Sequence, residues 1–280
     1  MEMNKLRELK LQAYKARLLA VEMVYTAASG HPGGSLSCMD VLTYLYNAEM
    51  RVNPADPKNP DRDRFVMSKG HCSPAVYSVL ALRGFFPTEN LKLFRSIDGN
   101  VSGHVEMKYN PGVDMSTGSL GQGISVAVGM ALAGKQAKKD YRVYAIMGDG
   151  ELAEGQAWEA FMAANKYKLD NLCVCIDVNG LQISGKTCDV MPTEPLDKKF
   201  EAFGWNVIKI DGHDFEDIEK AYAAAKTVKG QPTVILAKTV KGKGVSYMEN
   251  SVGWHGKAPN AEQWATAKAE LEAAIKELEG

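Results

Sequence analysis

Residues 142–151, RVYAIMGDGE, and residues 172–181, LCVCIDVNGL, decide the fold. Each opens as a short apolar run of strand length and breaks at a glycine-containing turn. Runs at 206–210 (NVIKI) and 233–237 (TVILA) repeat the pattern, and helical segments at 152–167, 196–203 and 214–228 separate the four. That rhythm predicts right-handed crossovers and an α/β fold: a doubly wound, mainly parallel sheet flanked by helices.

Upstream, Leu6, Leu9, Ala13, Ala16, Ala20 and Val24 recur at helical spacing and predict a helix over 4–28. A second helix is expected over 35–48, after the breaker run Gly30-His31-Pro32-Gly33-Gly34. Asn53 to Asp63 is loop, Arg64–Met67 a short strand, 73–82 a helix, and 121–137 an Ala/Gly-rich helix able to approach its neighbours closely. The tail, 260–279, is an Ala/Glu/Lys-rich helix ending just before Gly280, as a natural terminus would. Without repeats, low-complexity segments or a linker, residues 1–280 are expected to form one domain.

Composition narrows the function classes. With 45% hydrophobic and 24% charged residues, the chain has the material for an ordinary globular core. A net charge of −1, with both signs interspersed, argues against a general nucleic-acid or anionic-membrane binder. No apolar run approaches the roughly 20 residues of a membrane span, and the charged start from Met1 to Lys10 is no signal peptide. A cytoplasmic protein is expected. The odd count of five cysteines (Cys38, Cys72, Cys173, Cys175, Cys188) suggests reduced thiols. Cys173 and Cys175 share one face of a strand, with no second ligand pair at metal spacing, and are expected to be buried and structural.

In such sheets, ligands bind where loops leave the carboxyl ends of strands. One strand runs into Gly148-Asp149-Gly150 and another into Asn179-Gly180-Leu181. The paired glycines allow a bulky anion to approach, and the following helix start offers free N–H groups suited to phosphate. Asp149 and Asn179 would then emerge side by side. With a backbone carbonyl, a water and two phosphate oxygens they could complete an octahedral Mg²⁺ site. Taken singly, Gly-Asp-Gly is a common turn and Asn-Gly a common hairpin signal. Four of the five histidines, His31, His71, His104 and His255, sit in glycine-flanked loops, as side chains projected into one cleft would. Imidazoles titrate near working pH and suit proton transfer between hydroxyls. The remaining one, His213, lies in a turn that resembles a helix cap and is expected to be structural.

The segments SGHPGG, SKGH, SGHVE, GSLGQGIS, GDGELAEG, DVNGLQISG and WHG, in this order and over about residues 10–258, resemble transketolase. The resemblance implies the diphosphate-binding domain of the thiamine-diphosphate-binding fold. It implies transfer of a two-carbon ketol unit from a ketose, commonly a sugar phosphate, to an aldose. It places Mg²⁺ or Ca²⁺ on Asp149, Asn179 and the carbonyl of Leu181. Gly148, Gly150, His71 and His255 would meet the diphosphate, and Gly118 and Leu120 the aminopyrimidine. His31, His71, His104 and His255 would handle protons. Glu154 and Glu159 would lie at a subunit interface linking two active sites, with Glu154 near the cofactor. Ser119 stands where many family members have Pro. The family's pyrimidine-binding and C-terminal domains, the former carrying the glutamate that drives the pyrimidine to its imino form, have no counterpart in these 280 residues. The expectation is therefore a subunit of a split transketolase, inactive alone and assembled with a C-terminal subunit as a heterotetramer with two copies of each chain. Competing expectations are the α subunit of a 2-oxo acid dehydrogenase, disfavoured by the histidine set, and a non-catalytic cofactor-binding relative. A nucleotide-binding Rossmann protein is weaker still, because Gly118, Gly121 and Gly123 have the wrong order of spacings.

Overall fold

The run Leu172–Val178 forms a strand whose first six residues are all buried, a pattern that only a place between two helical layers provides. In the computed structural model, which describes residues 1–280, this strand lies at the centre of a five-stranded parallel sheet. The helices are α1 (Met3–Thr26), α2 (Pro32–Ser37), α3 (Met39–Tyr44), α4 (Ser73–Leu82), α5 (Gln122–Gln136), α6 (Gly155–Lys166), α7 (Thr187–Val190), α8 (Leu196–Ala202), α9 (Phe215–Thr227) and α10 (Ala261–Glu279). The strands are β1 (Arg64–Met67), β2 (Val143–Gly148), β3 (Leu172–Val178), β6 (Asn206–Asp211) and β7 (Thr233–Lys238), with a separate small hairpin of β4 (Leu181–Gln182) and β5 (Gly185–Lys186).

Strand order is β1-β2-β3-β7-β6. The chain steps inward from one edge through β1 and β2 to the central β3, crosses to the far edge for β6, and returns with β7 beside β3. Register pairs Gly148 with Asp177 and Asp177 with Ala237. The carboxyl ends of the three central strands are therefore level, and their loops open onto one rim. Alternation along each strand divides the core. Cys173 and Cys175 point toward α1, α3, α4 and α9, while Leu172, Val174 and Ile176 point toward α5, α6 and α8. Both layers are apolar, as a doubly wound sheet requires. Cys38, Cys72, Cys173 and Cys175 are buried free thiols, whereas Cys188 is exposed. Helix α10, closed at its start by a capping box between Asn260 and Gln263, packs Ala267 and Leu271 with Val21 of α1.

Two helices depart from the sequence expectation. The helix expected over 35–48 begins three residues earlier, with Pro32 at its first turn, breaks at Cys38, and finishes in a π-helical turn at Leu45–Glu49. Proline is preorganised for a helix start. Gly33 and Gly34, read as breakers, serve close packing instead: a Cβ on Gly33 would lie 2.8 Å from the Trp254 carbonyl oxygen, and one on Gly34 would lie 3.0 Å from Cys72 Sγ. After Gly-Asp-Gly the chain first makes a 3₁₀ turn, Gly150–Ala153, and α6 starts only at Gly155. No helix is long and apolar enough to cross a membrane.

Candidate cofactor and proton-transfer site

Because β2 and β3 are neighbours in level register, Asp149 and Asn179 leave the sheet side by side. Asp149 Oδ1 accepts the Gly150 N–H at 2.8 Å and Oδ2 accepts the Gly180 N–H at 2.6 Å. Asn179 Oδ1 accepts the Leu181 N–H at 3.1 Å. The Leu181 carbonyl accepts from Lys241 Nζ at 3.1 Å, and the same ammonium lies 3.0 Å from His255 Nδ1. One carboxylate, one amide oxygen and one carbonyl thus meet at the rim.

Asp149 is 3% exposed, and burial together with nearby Asp177 pushes its carboxyl up to about 6. No group of three or more His, Cys, Asp or Glu side chains is arranged to hold a metal. A hard divalent ion at this point would need further oxygens from outside the protein, as a diphosphate supplies. Gly150 lets the Gln182 side chain lie against this turn, since a Cβ there would sit 2.9 Å from Gln182 Cβ, and Gln182 Oε1 is buried without a partner.

The four loop histidines close over this rim. His31 immediately precedes α2, His71 sits in the 3₁₀ turn Gly70–Cys72, and His255 follows the turn Val252–Trp254. His104 lies on a loop held by Tyr77 Oη to its carbonyl at 3.0 Å and by the Val105 N–H to Gly70 at 3.0 Å. Ring centroids of His31 stand 5.2 Å from His71, 5.8 Å from His104 and 5.6 Å from His255, and His71 is 5.1 Å from His255. Burial, reinforced by His71, lowers His31 to about 4. Burial and Lys241 lower His255 to about 3, and burial with His71 lowers His104. At neutral pH these three are neutral imidazoles, each able to accept or donate one proton. His31 Nδ1 is buried without a partner.

The remaining expected residues fall around this cleft. Gly118 lies against His104, its missing Cβ 3.3 Å from His104 Cδ2. Leu120 is half-buried on the same loop. Glu154 is exposed at the start of α6, with its Cβ 2.8 Å from where a Cβ of Gly121 would be. Glu159 is exposed one turn further along α6. His213 is not in the cleft.

Three charged groupings beneath the site, the Asp177–Lys69 pair, Glu151 and Lys241, were not singled out from the sequence. Asp177, 1% exposed, receives Lys69 Nζ, Ser37 Oγ and Thr239 Oγ1 and the Asn179 amide at 3.1 Å. Burial alone would lower Lys69, but Asp177 outweighs it and raises its pKa. Glu151, 2% exposed, accepts the Gly121 N–H at 2.9 Å and the Gly148 N–H at 3.1 Å. It thereby ties the Gly118–Gly121 loop to the Gly-Asp-Gly turn. Lys241 is the third. The strand-end rule could have singled out Asp177 and Lys241, which end β3 and follow β7, but nothing in composition marks them.

The family model described as transketolase, thiamine diphosphate binding domain, matches residues 9–277. The chain belongs to the transketolase family. It is 47% identical over 271 residues to one of the subunits of apulose-4-phosphate transketolase from Phocaeicola vulgatus, covering 97% of this chain and 96% of that one. It is 45% identical over 265 residues to 6-deoxy-6-sulfo-D-fructose transketolase subunit SqwG of a Clostridium species, covering 95% and 96%. Human transketolase is 42% identical over 257 residues, which are 91% of this chain and 41% of the human protein. The crystal structure of Campylobacter jejuni transketolase superposes with a TM-score of 0.90 at 36% identity, over 99% of this chain and 46% of that one. The transketolase match thus spans under half of single-chain relatives and nearly all of the two subunits.

Proposed function

We propose that this transketolase chain is the diphosphate-binding subunit of a two-chain enzyme that moves a two-carbon ketol unit from a ketose to an aldose. The observation that carries the reading is the closure of four histidines over the Asp149–Asn179–Leu181 oxygens at one sheet rim. The likeness to two transketolase subunits along nearly their whole length supports the division into two chains. In this reading residues 1–280 are one domain. A second chain contributes the pyrimidine-binding and C-terminal domains, and the assembly is a cytoplasmic heterotetramer with two copies of each.

Asp149, Asn179 and the Leu181 carbonyl would hold Mg²⁺ or Ca²⁺, with the cation answering the buried charge of Asp149. Gly148, Gly150, His71 and His255 would face the diphosphate, and Lys241 adds an ammonium beside it. Gly118 and Leu120 would flank the aminopyrimidine, while Glu154 and Glu159 would face a neighbouring subunit. Thiamine diphosphate, when bound, supplies the nucleophilic carbon and the electron sink for carbon–carbon cleavage. The protein's share is proton traffic. Neutral His31, His104 and His255 are placed to take a proton from one hydroxyl and return it to another, each contributing about 10²–10⁴-fold.

The test is turnover of xylulose 5-phosphate with ribose 5-phosphate in the presence of thiamine diphosphate and Mg²⁺, for this chain alone and with its co-purifying second chain. Activity only on mixing is expected. Because the two related subunits carry the names of a branched and a sulfonated sugar, apulose 4-phosphate and 6-deoxy-6-sulfofructose belong in the panel. Full activity of the chain alone would overturn the two-chain reading. Carbon dioxide release from a 2-oxo acid would favour the dehydrogenase alternative, and silence with every ketose a non-catalytic role.

A further inference from the structure

The cleft uses four histidines and leaves the fifth, His213, unexplained. It follows β6 and lies in no cap: its neighbour Asp214 caps α9 by accepting the Glu216 N–H at 2.8 Å. His213 Nδ1 instead stands 2.7 Å from Asp40 Oδ2, and its Nε2 accepts the Val240 N–H at 2.9 Å. Asp40 is 6% exposed and meets the Arg17 guanidinium through both oxygens, at 2.9 and 2.6 Å. Burial opposes ionisation of Asp40, but Arg17 and His213 prevail, so it is a carboxylate and accepts only. The hydrogen must therefore reside on Nδ1, leaving the Nε2 lone pair for Val240: His213 is a neutral imidazole of one tautomer, fixed from both ends.

What this imidazole holds is the stem of Lys241. Val240 precedes that lysine directly. On the other flank, Arg17 Nε donates to the Lys243 carbonyl at 3.1 Å, and the Gly242 N–H reaches the Gly33 carbonyl at 3.0 Å. His213 and Arg17, joined through Asp40, thus hold the backbone on both sides of Lys241. Its ammonium is the group lying between the Leu181 carbonyl and His255.

We propose that His213, backed by Asp40 and Arg17, is a positioning residue that sets the Lys241 ammonium against the incoming diphosphate. The inference rests on the reading of the cleft as a diphosphate site. It separates two roles among the five histidines. The four loop histidines would touch reacting or cofactor atoms, whereas His213 would act through one peptide N–H.

Glutamine and leucine variants of the full chain, assembled with the second chain, test it. His213→Gln keeps an acceptor near the Nε2 position, and His213→Leu keeps bulk without one. Binding of thiamine diphosphate with Mg²⁺, followed by calorimetry, is expected to weaken about tenfold in His213→Leu and to stay within a few-fold of wild type in His213→Gln. Amide exchange over 239–244 should quicken in the leucine variant alone, with equal thermal midpoints for the two variants showing that the fold is kept. Equal effects of Gln and Leu, or unchanged exchange in both, would overturn the proposal. If His213→Leu does not fold, nitrogen-15 NMR of the wild-type imidazole decides: an Nε2–H tautomer overturns the assignment, and Nδ1–H sustains it. If the wild-type chain takes up no thiamine diphosphate even with its second chain present, the diphosphate reading fails, while tautomer and exchange still judge the clamp.

Discussion

A single histidine shows how burial becomes chemistry. His31 touches the other three rings of the cleft, and its proton affinity has fallen to about 4. In the unfolded chain it would titrate near 6.5. Between those two values the unfolded state binds more protons, so stability falls as pH falls through this window. Urea unfolding at pH 7 and pH 5 should therefore show a smaller acid loss in His31→Asn than in wild type. Identical losses would mean that the imidazole is not held neutral, and the difference between the two proteins cancels the titrating groups remote from the cleft. His104→Ala should leave thiamine diphosphate affinity intact and slow ketose cleavage by about 10²–10⁴-fold, measured as steady-state rates beside calorimetry. Asp149→Ala should abolish metal-dependent binding of the cofactor, and normal affinity in that variant would remove Asp149 from the metal site. At this scale the sequence was readable where a residue type is rare in its setting, as with histidines between glycines. It was silent for Asp177, Lys69 and Lys241, because a buried ion pair is written in the same letters as a solvated one.

Among the elements, strand runs and the order of helices followed from periodicity alone, since a buried parallel strand such as Leu172–Val178 has few alternatives. The start of α2 is the boundary that glycine misplaced: Gly33 and Gly34 sit where another chain segment leaves no room for a Cβ, a constraint that Gly70 shares. Close approach is a tertiary fact and has no local signature. At Gly70 the approach is tighter than at Gly33 or Gly34: a Cβ would stand 2.4 Å from the Thr117 carbonyl, so the turn bearing His71 is pressed onto the segment leading to Gly118. Gly70→Ala should cost about 1–3 kcal/mol of stability in denaturant melts and weaken cofactor affinity through His71 and Gly118 together. A wild-type melt would show that the two segments can part freely. Likewise, Asp40→Ala would strand the Arg17 guanidinium at 2% exposure, with about 3–5 kcal/mol lost, because α1 and α3 are joined there by charge inside an apolar layer.

For the molecule as a whole, sedimentation of the chain mixed with its second chain should give a species with two copies of each, appearing together with turnover. A one-to-one complex with full activity would refute the tetramer while leaving the shared site intact. Asp177 carries a different consequence. Its carboxylate gathers Ser37, Lys69 and Thr239 from 140, 108 and 62 residues away along the chain. Closing loops of that length is slow, and none of those contacts is rewarded until the intervening sheet is in place. No early, partly folded species should then own this site. Uptake of the coenzyme during refolding would mark the last event of the chain's folding rather than any step before it, and the change in the protein's tryptophan emission on coenzyme binding would serve as a clock for completion.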